Sequence, residues 1–174
     1  FAKQCGTTGY ELNMIFQSAI TCAKKIKTQT MLSKTSVSTA TLAANEAAKL
    51  GKDKTVLVIG ATGKIGSIVL KNLVSHKNLN VIATSRHHGS DLNLMQNNSK
   101  ISIVDYDRRY EYIDSADCII SATSSPHYTV TAYDIKKNVK NNKNRLFIDL
   151  AVPSDIDKSI VNISGVRLID IDYF

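Results

Sequence analysis

The sequence predicts an α/β fold, a doubly wound parallel sheet preceded by two linking helices. Three observations lead there. From Thr55 onward, short apolar runs alternate with stretches of helical period, the pattern of strands joined by crossover helices. The apolar run Thr55–Ile59 ends in a glycine-rich turn, Gly60-Ala61-Thr62-Gly63-Lys64-Ile65-Gly66. Beyond the turn, Ile65, Val69, Leu70 and Leu73 recur at helical spacing.

The elements follow in order. Residues 10–27 carry Leu12, Ile15, Phe16, Ala19, Ile20, Ala23 and Ile26 on one stripe, with lysines near the end where the helix dipole favours them. A Ser/Thr-rich connection over 28–41 leads to a second helix, Ala40–Leu50, stopped by Gly51. Both helices precede the first strand, so residues 1–50 are expected to form a helical linker packed on the fold, with residues 51–174 forming the domain proper. Strands are expected at Thr55–Ile59, Asn80–Ser85, Ile101–Asp105, Cys118–Ala122, Leu146–Leu150 and Val166–Ile169. Helices are expected at Lys64–Ser75, near Asp91–Gln96 and at Ala132–Val139, while residues 107–116 are too short and polar to place. Asn138 to Asn144 reads as an exposed polar loop.

Composition excludes several classes. At 174 residues the chain can bury one sizeable core, and 43% hydrophobic with 21% charged residues is ordinary for a globular protein. No apolar run nears the ~20 residues that a membrane span needs, so no membrane role is expected. Cys5, Cys22 and Cys118 form no close pair and no metal-ligand spacing, which points to a reduced, cytoplasmic setting and no metal. The net charge of +7 reads either as solvated basic faces or as attraction to a polyanion such as tRNA.

Strand, glycine turn and helix together suggest a Rossmann-type dinucleotide site. Glycine lets the backbone approach a ligand, and the helix behind it offers free N–H groups and a positive dipole end to a diphosphate. The alternative is a purely structural turn. Twenty residues after Gly66, where a ribose contact is expected, the second strand ends in Ser85-Arg86-His87-His88. An NAD-preferring site would put an acid there; Ser85 and Arg86 instead suit a 2′-phosphate, unless Arg86 is only a surface cation. The fourth strand runs into Ser121-Ala122-Thr123-Ser124-Ser125-Pro126-His127, small residues beside which a flat nicotinamide ring can lie. His127 has the chemistry to donate to a carbonyl, but loop histidines commonly do nothing of the kind. Asp149, in an apolar run, needs backbone partners, and Ser154 is a candidate cap for a short helix with Asp157 three residues on. No cysteine is a convincing nucleophile, so no catalytic residue is assigned.

These residues carry a family resemblance. Ile119 to His127, followed by Leu146 to Asp157, resembles the nucleotide-binding domain of glutamyl-tRNA reductases, a domain like that of shikimate/quinate dehydrogenases. Gly165-Val166 through Asp172 is similar to the strand before that family's dimerisation helix. Gly6 to Gly9, Leu12-Asn13, Phe16-Gln17, Ala19, Lys24-Lys25 and Thr30 resemble the segment after its catalytic domain, and Thr35 to Ser38 its connection onward. The resemblance implies NADPH as cofactor and glutamyl-tRNA as the parent enzyme's substrate, reduced to glutamate-1-semialdehyde in tetrapyrrole (haem) biosynthesis through a thioester on a cysteine of the catalytic domain. It implies that Gly60, Ala61, Thr62, Gly63, Lys64 and Ile65 hold the pyrophosphate, Ser85 and Arg86 the 2′-phosphate, and that Thr123 faces the nicotinamide. It further implies a homodimer through a helix beyond Phe174, and a catalytic cysteine outside the sequence, so that this segment alone is expected to be silent. The glycine loop departs from the family's G-x-G-E-x-x pattern: the second glycine is shifted and Lys64 stands where the acid would be. That departure motivates a second reading, a non-catalytic nucleotide-binding or regulatory paralogue.

Overall fold

The computed structural model describes residues 4–7, 9–29, 38–86 and 101–174. The expected helix near Asp91–Gln96, the connection over 30–37, and His87 and His88 lie outside the described residues. The chain divides into two units, Phe1–Val37 and Ser38–Phe174. The first holds helix α1 (Tyr10–Gln29), whose Leu12, Ile15, Phe16 and Ile20 are exposed.

The second unit contains helix α2 (Thr39–Ala48), so the boundary falls thirteen residues earlier than residues 1–50 would place it. The reason is the alanine face of α2. Ala43, Ala44 and Ala47 are fully buried and pack against Val69, Leu70 and Leu73 of helix α3 (Lys64–Ser75). Side chains this small let two helices approach closely, and Asn72 Nδ2 donates to Thr41 Oγ1 at 2.9 Å across the seam. Ser38 caps α2 by accepting from the Thr41 amide.

Six strands form one sheet: β1 (Lys54–Ile59), β2 (Leu79–Ser85), β3 (Ile101–Asp105), β4 (Cys118–Ser121), β5 (Arg145–Asp149) and β6 (Val166–Asp170). Their order is β3-β2-β1-β4-β5-β6 and every pairing is parallel. The order reverses between β2 and β4 on either side of β1, and that switch opens a crevice at the carboxyl ends of the strands.

Strand alternation assigns the two faces. Val56, Val58, Cys118, Ile120, Leu146 and Ile148 join the cluster under α2 and α3. Leu57, Ile59, Ile119 and Phe147 join the other cluster, with Ile113 of helix α4 (Arg109–Ser115) and Ile135 of helix α5 (Ala132–Asn138). A sheet covered on both faces needs continuous apolar strands, and β1, β4 and β5 read that way. Helix α4 occupies the segment that the sequence left unplaced. It buries Ile113, while its Tyr110 hydroxyl donates to the Asp134 carboxylate at 3.2 Å; one buried apolar residue makes no readable period.

The close α2–α3 seam has a measurable consequence. Ala44→Leu adds three carbons where no space remains and should lower unfolding free energy by about 1–3 kcal/mol, read as a reduced urea midpoint.

Candidate functional site

Strand β1 ends at Ile59, and the chain must turn at once to start α3. Gly60 takes φ +81°, and a Cβ there would stand 2.8 Å from the carbonyl oxygen of Ala122, so the β1 and β4 ends meet backbone to backbone. Gly66 lies in the first turn of α3, pressed onto the same loop; its Cβ would come within 2.1 Å of the Gly60 carbonyl oxygen. The third glycine, Gly63, is the N-cap of α3 and brings no side chain to cap it. The first turn contains no acid either, and its first residue is Lys64. A cation at this end opposes the helix dipole, so both features leave the terminus in need of an anion from elsewhere. Lys64 thus suits a phosphate better than it suits the helix.

A cleft of about 750 Å³ runs along these carboxyl ends. Gly60, Thr62, Gly63, Lys64 and Ile65 line its middle; Thr84, Ser85, Arg86 and Tyr106 line one end; Ala122 through Pro126 line the other. The structure therefore brings together eight of the nine residues singled out for the cofactor: Gly60, Thr62, Gly63, Lys64, Ile65, Ser85, Arg86 and Thr123. Ala61 is the exception. Its side chain is fully buried in the core under α2 and α3 and does not line the cleft. His127 is exposed and outside the lining, its backbone tied to Ser125 Oγ.

Tyr106 escaped the sequence reading. It opens the 3-10 turn Tyr106–Arg108 directly after β3, and the guanidinium of Arg86 stacks over its ring at 4.7 Å. The only available signal was its place at the end of a strand, in a segment whose period was unreadable.

Asp155 is the second residue missed. It is fully buried, and its carboxylate accepts from Ser121 Oγ at 2.7 Å, the Thr123 amide at 2.8 Å and Thr123 Oγ1 at 2.5 Å. Its carbonyl accepts from the amides of Thr129 and Val130 at 2.7 and 3.1 Å. The loops after β4 and β5 are thereby joined, and Thr123 is fixed: its hydroxyl donates to Asp155 and accepts from the Ser125 amide. That leaves its methyl group against Gly60 at the cleft wall, an apolar surface for a flat ring.

Asp149 meets its expected backbone partners, the amides of Ala151 and Ile156, each at 3.0 Å. Burial pushes its carboxyl above the ordinary range, the nearby Asp155 charge adding to this against the pull of the two amides. The expected cap at Ser154 is corrected. The 3-10 helix Lys158–Asn162 is capped by Asp157, whose carboxylate takes both the amide and hydroxyl of Ser159, a better acceptor than a serine oxygen. Cys118 lies buried in β4, and burial pushes its thiol far up, so it is no nucleophile. Among the described residues no cluster of three or more His, Cys, Asp or Glu could hold a metal, and no helix is long and apolar enough to cross a membrane.

Comparison with known proteins accords with this geometry. The sequence profile of shikimate / quinate 5-dehydrogenase matches residues 41–174. The chain belongs to that family. It is 35% identical over 167 residues to a glutamyl-tRNA reductase of Clostridium novyi, covering 94% of this chain and 39% of that protein. It is 38% identical over 175 residues to a glutamyl-tRNA reductase of Methanothrix thermoacetophila, covering 98% of this chain and 42% of that one. The solved glutamyl-tRNA reductase from Methanopyrus kandleri superposes with a TM-score of 0.65 at 30% identity, over 99% of this chain and 44% of that chain. The chain thus spans about two fifths of the length of these relatives. It carries an NAD(P)-binding domain of the shikimate dehydrogenase type that matches glutamyl-tRNA reductase over most of its length.

Two substitutions probe the site's framework. Gly66→Ala should cost at least about 1–3 kcal/mol, because the obstruction is backbone, whereas Gly63→Ala, whose Cβ would sit 3.2 Å from the Gly60 carbonyl, should cost clearly less by thermal melting. Asp155→Asn turns an amide N–H₂ toward groups that already donate. A loss of about 1–3 kcal/mol is expected, with faster hydrogen exchange at the Thr123 amide as the local signature.

Proposed function

We propose that this chain is the NADPH-binding domain of a glutamyl-tRNA reductase. The parent enzyme would reduce glutamyl-tRNA to glutamate-1-semialdehyde for tetrapyrrole synthesis in the cytoplasm. The observation that carries the cofactor choice is Arg86, standing in the cleft at the carboxyl end of β2 with Ser85 and, among the described residues, no lining acid. Its guanidinium edge suits a 2′-phosphate held by two parallel hydrogen bonds. Similarity to glutamyl-tRNA reductases along nearly the whole chain supports the substrate assignment.

The residues present suit such a ligand. The uncapped amino end of α3 and Lys64 would hold the diphosphate between them. Bound there, reduced nicotinamide supplies a hydride. The Thr123 methyl and the Ser124–Pro126 wall would set the ring's orientation, while Asp155 keeps that wall rigid. The protein's share is binding and orientation, since among the described residues the lining includes no carboxylate, histidine or thiol.

Titration of this chain with NADPH and NADH, followed by reduced-nicotinamide fluorescence, tests the reading. NADPH should bind roughly ten- to a hundredfold more tightly, the range for losing hydrogen bonds to a charged group. Arg86→Ala should erase that difference while sparing NADH affinity. Equal affinities in the wild-type chain would overturn the NADPH assignment, and absence of any binding would favour the non-catalytic paralogue.

A further inference from the structure

We infer that Tyr106 is the positioning residue through which this domain distinguishes a 2′-phosphorylated dinucleotide from an unphosphorylated one; this rests on the reading of the cleft as an NADPH site. Arg86 is exposed, and an exposed arginine samples many rotamers that ligand binding must freeze out. Here its guanidinium lies over the Tyr106 ring at 4.7 Å. A flat guanidinium resting on a ring keeps its N–H edge free, and that edge is what grips a phosphate.

The ring is itself held. Arg109 stacks over it at 4.2 Å, and Arg109 Nη1 donates to the Tyr106 carbonyl at 3.2 Å. Arg109 Nε donates in turn to the Thr129 carbonyl at 2.9 Å, anchoring the assembly to the loop after β4. Asp105, the neighbour on the other side, accepts from the Asp107 amide at 2.8 Å and so caps the turn on which Tyr106 sits. Tyr106 is half-buried against the core cluster of α4 and α5.

Charge balance points the same way. Arg108 is paired with Glu111, but among the described residues neither Arg86 nor Arg109 has a carboxylate within ion-pair distance. Two guanidinium charges therefore share one aromatic ring, and they repel. An anion arriving at Arg86 relieves that repulsion, whereas a bare ribose hydroxyl does not. The selectivity is thus built by the ring and two cations together, with Arg86 making the contact.

The test titrates the wild-type chain and its Tyr106→Leu and Tyr106→Phe variants with NADPH and NADH, with 2′,5′-ADP and 5′-AMP as competitors. Tyr106→Leu should weaken NADPH and 2′,5′-ADP roughly tenfold more than NADH and 5′-AMP, the scale of a lost cation–π contact. Tyr106→Phe should keep wild-type selectivity, because the ring remains. Tyr106→Met replaces the leucine variant should that one not fold. If Tyr106→Leu keeps the NADPH preference while Arg86→Ala loses it, or weakens both dinucleotides equally, the inference is overturned and the NADPH reading stands. If the wild-type chain shows no preference, that reading fails and the inference falls with it.

Discussion

A buried carboxylate with no ion-pair partner among the described residues holds the working edge of this domain together. Asp155 lies in the loop after β5, yet its acceptors are filled by Ser121 at the end of β4 and by Thr123 beyond it. Burying an unpaired charge is costly, and it is tolerable here because three hydrogen bonds replace the water that was lost. The same residue's carbonyl takes two amides of the β4 loop, and an isolated bridge pairs Val130 with Ile156. Two loops that would otherwise move independently become one wall. Hydrogen bonds to a buried charge are directional, so the wall has one geometry, as a ring-binding surface requires.

The other half of the cleft depends on the absence of side chains. Gly60 and Gly66 bring the β1 end, the β4 end and the first turn of α3 into contact that any Cβ would break. With that approach made, the helix terminus faces the cleft without a cap and with Lys64 beside it. The loop departs from G-x-G-x-x-G spacing, but the physical requirements are met by other means. The turn still has glycine where φ is positive, glycine where the helix packs, and an electropositive end where a diphosphate would lie.

What could be read in the sequence was what local chemistry determines. The strands showed as apolar runs because both sheet faces are covered. The glycine turn showed because positive φ and close packing tolerate few alternatives, and Arg86 showed because its distance from the turn is set by one strand–helix–strand unit. Asp155 and Tyr106 did not show, since their meaning is in partners far along the chain: Asp155 answers to Ser121 and Thr123, and Tyr106 to Arg86 and Arg109. The boundary before α2 differs from the expected one for a related reason. Four small residues on one face have weak hydrophobic periodicity, and only the presence of α3 makes them a core. Ala61 lies outside the cleft lining because a motif names consecutive residues, whereas its methyl turns inward to the core.

The two hidden residues are connected, and the connection bears on how the domain would hold a long ligand. Thr129 receives its position from Asp155, whose carbonyl it bonds at 2.7 Å, and passes it on, because its own carbonyl accepts from Arg109. Arg109 stacks on Tyr106, and Tyr106 carries Arg86. A continuous chain of hydrogen bonds and ring contacts therefore runs from the Thr123 end of the cleft to the Arg86 end. A dinucleotide is gripped at both ends and must place its reactive ring correctly by virtue of where its far phosphate sits. If the two grips were set by separate loops, errors at one end would be uncorrelated with those at the other. Here both are fastened to Thr129, a buried residue, so the distance between them is fixed by the core rather than by the surface. For a dinucleotide held as proposed, binding strength at the adenosine end would be converted into orientation at the nicotinamide end, the contribution a non-reacting part of a cofactor can make to a reaction.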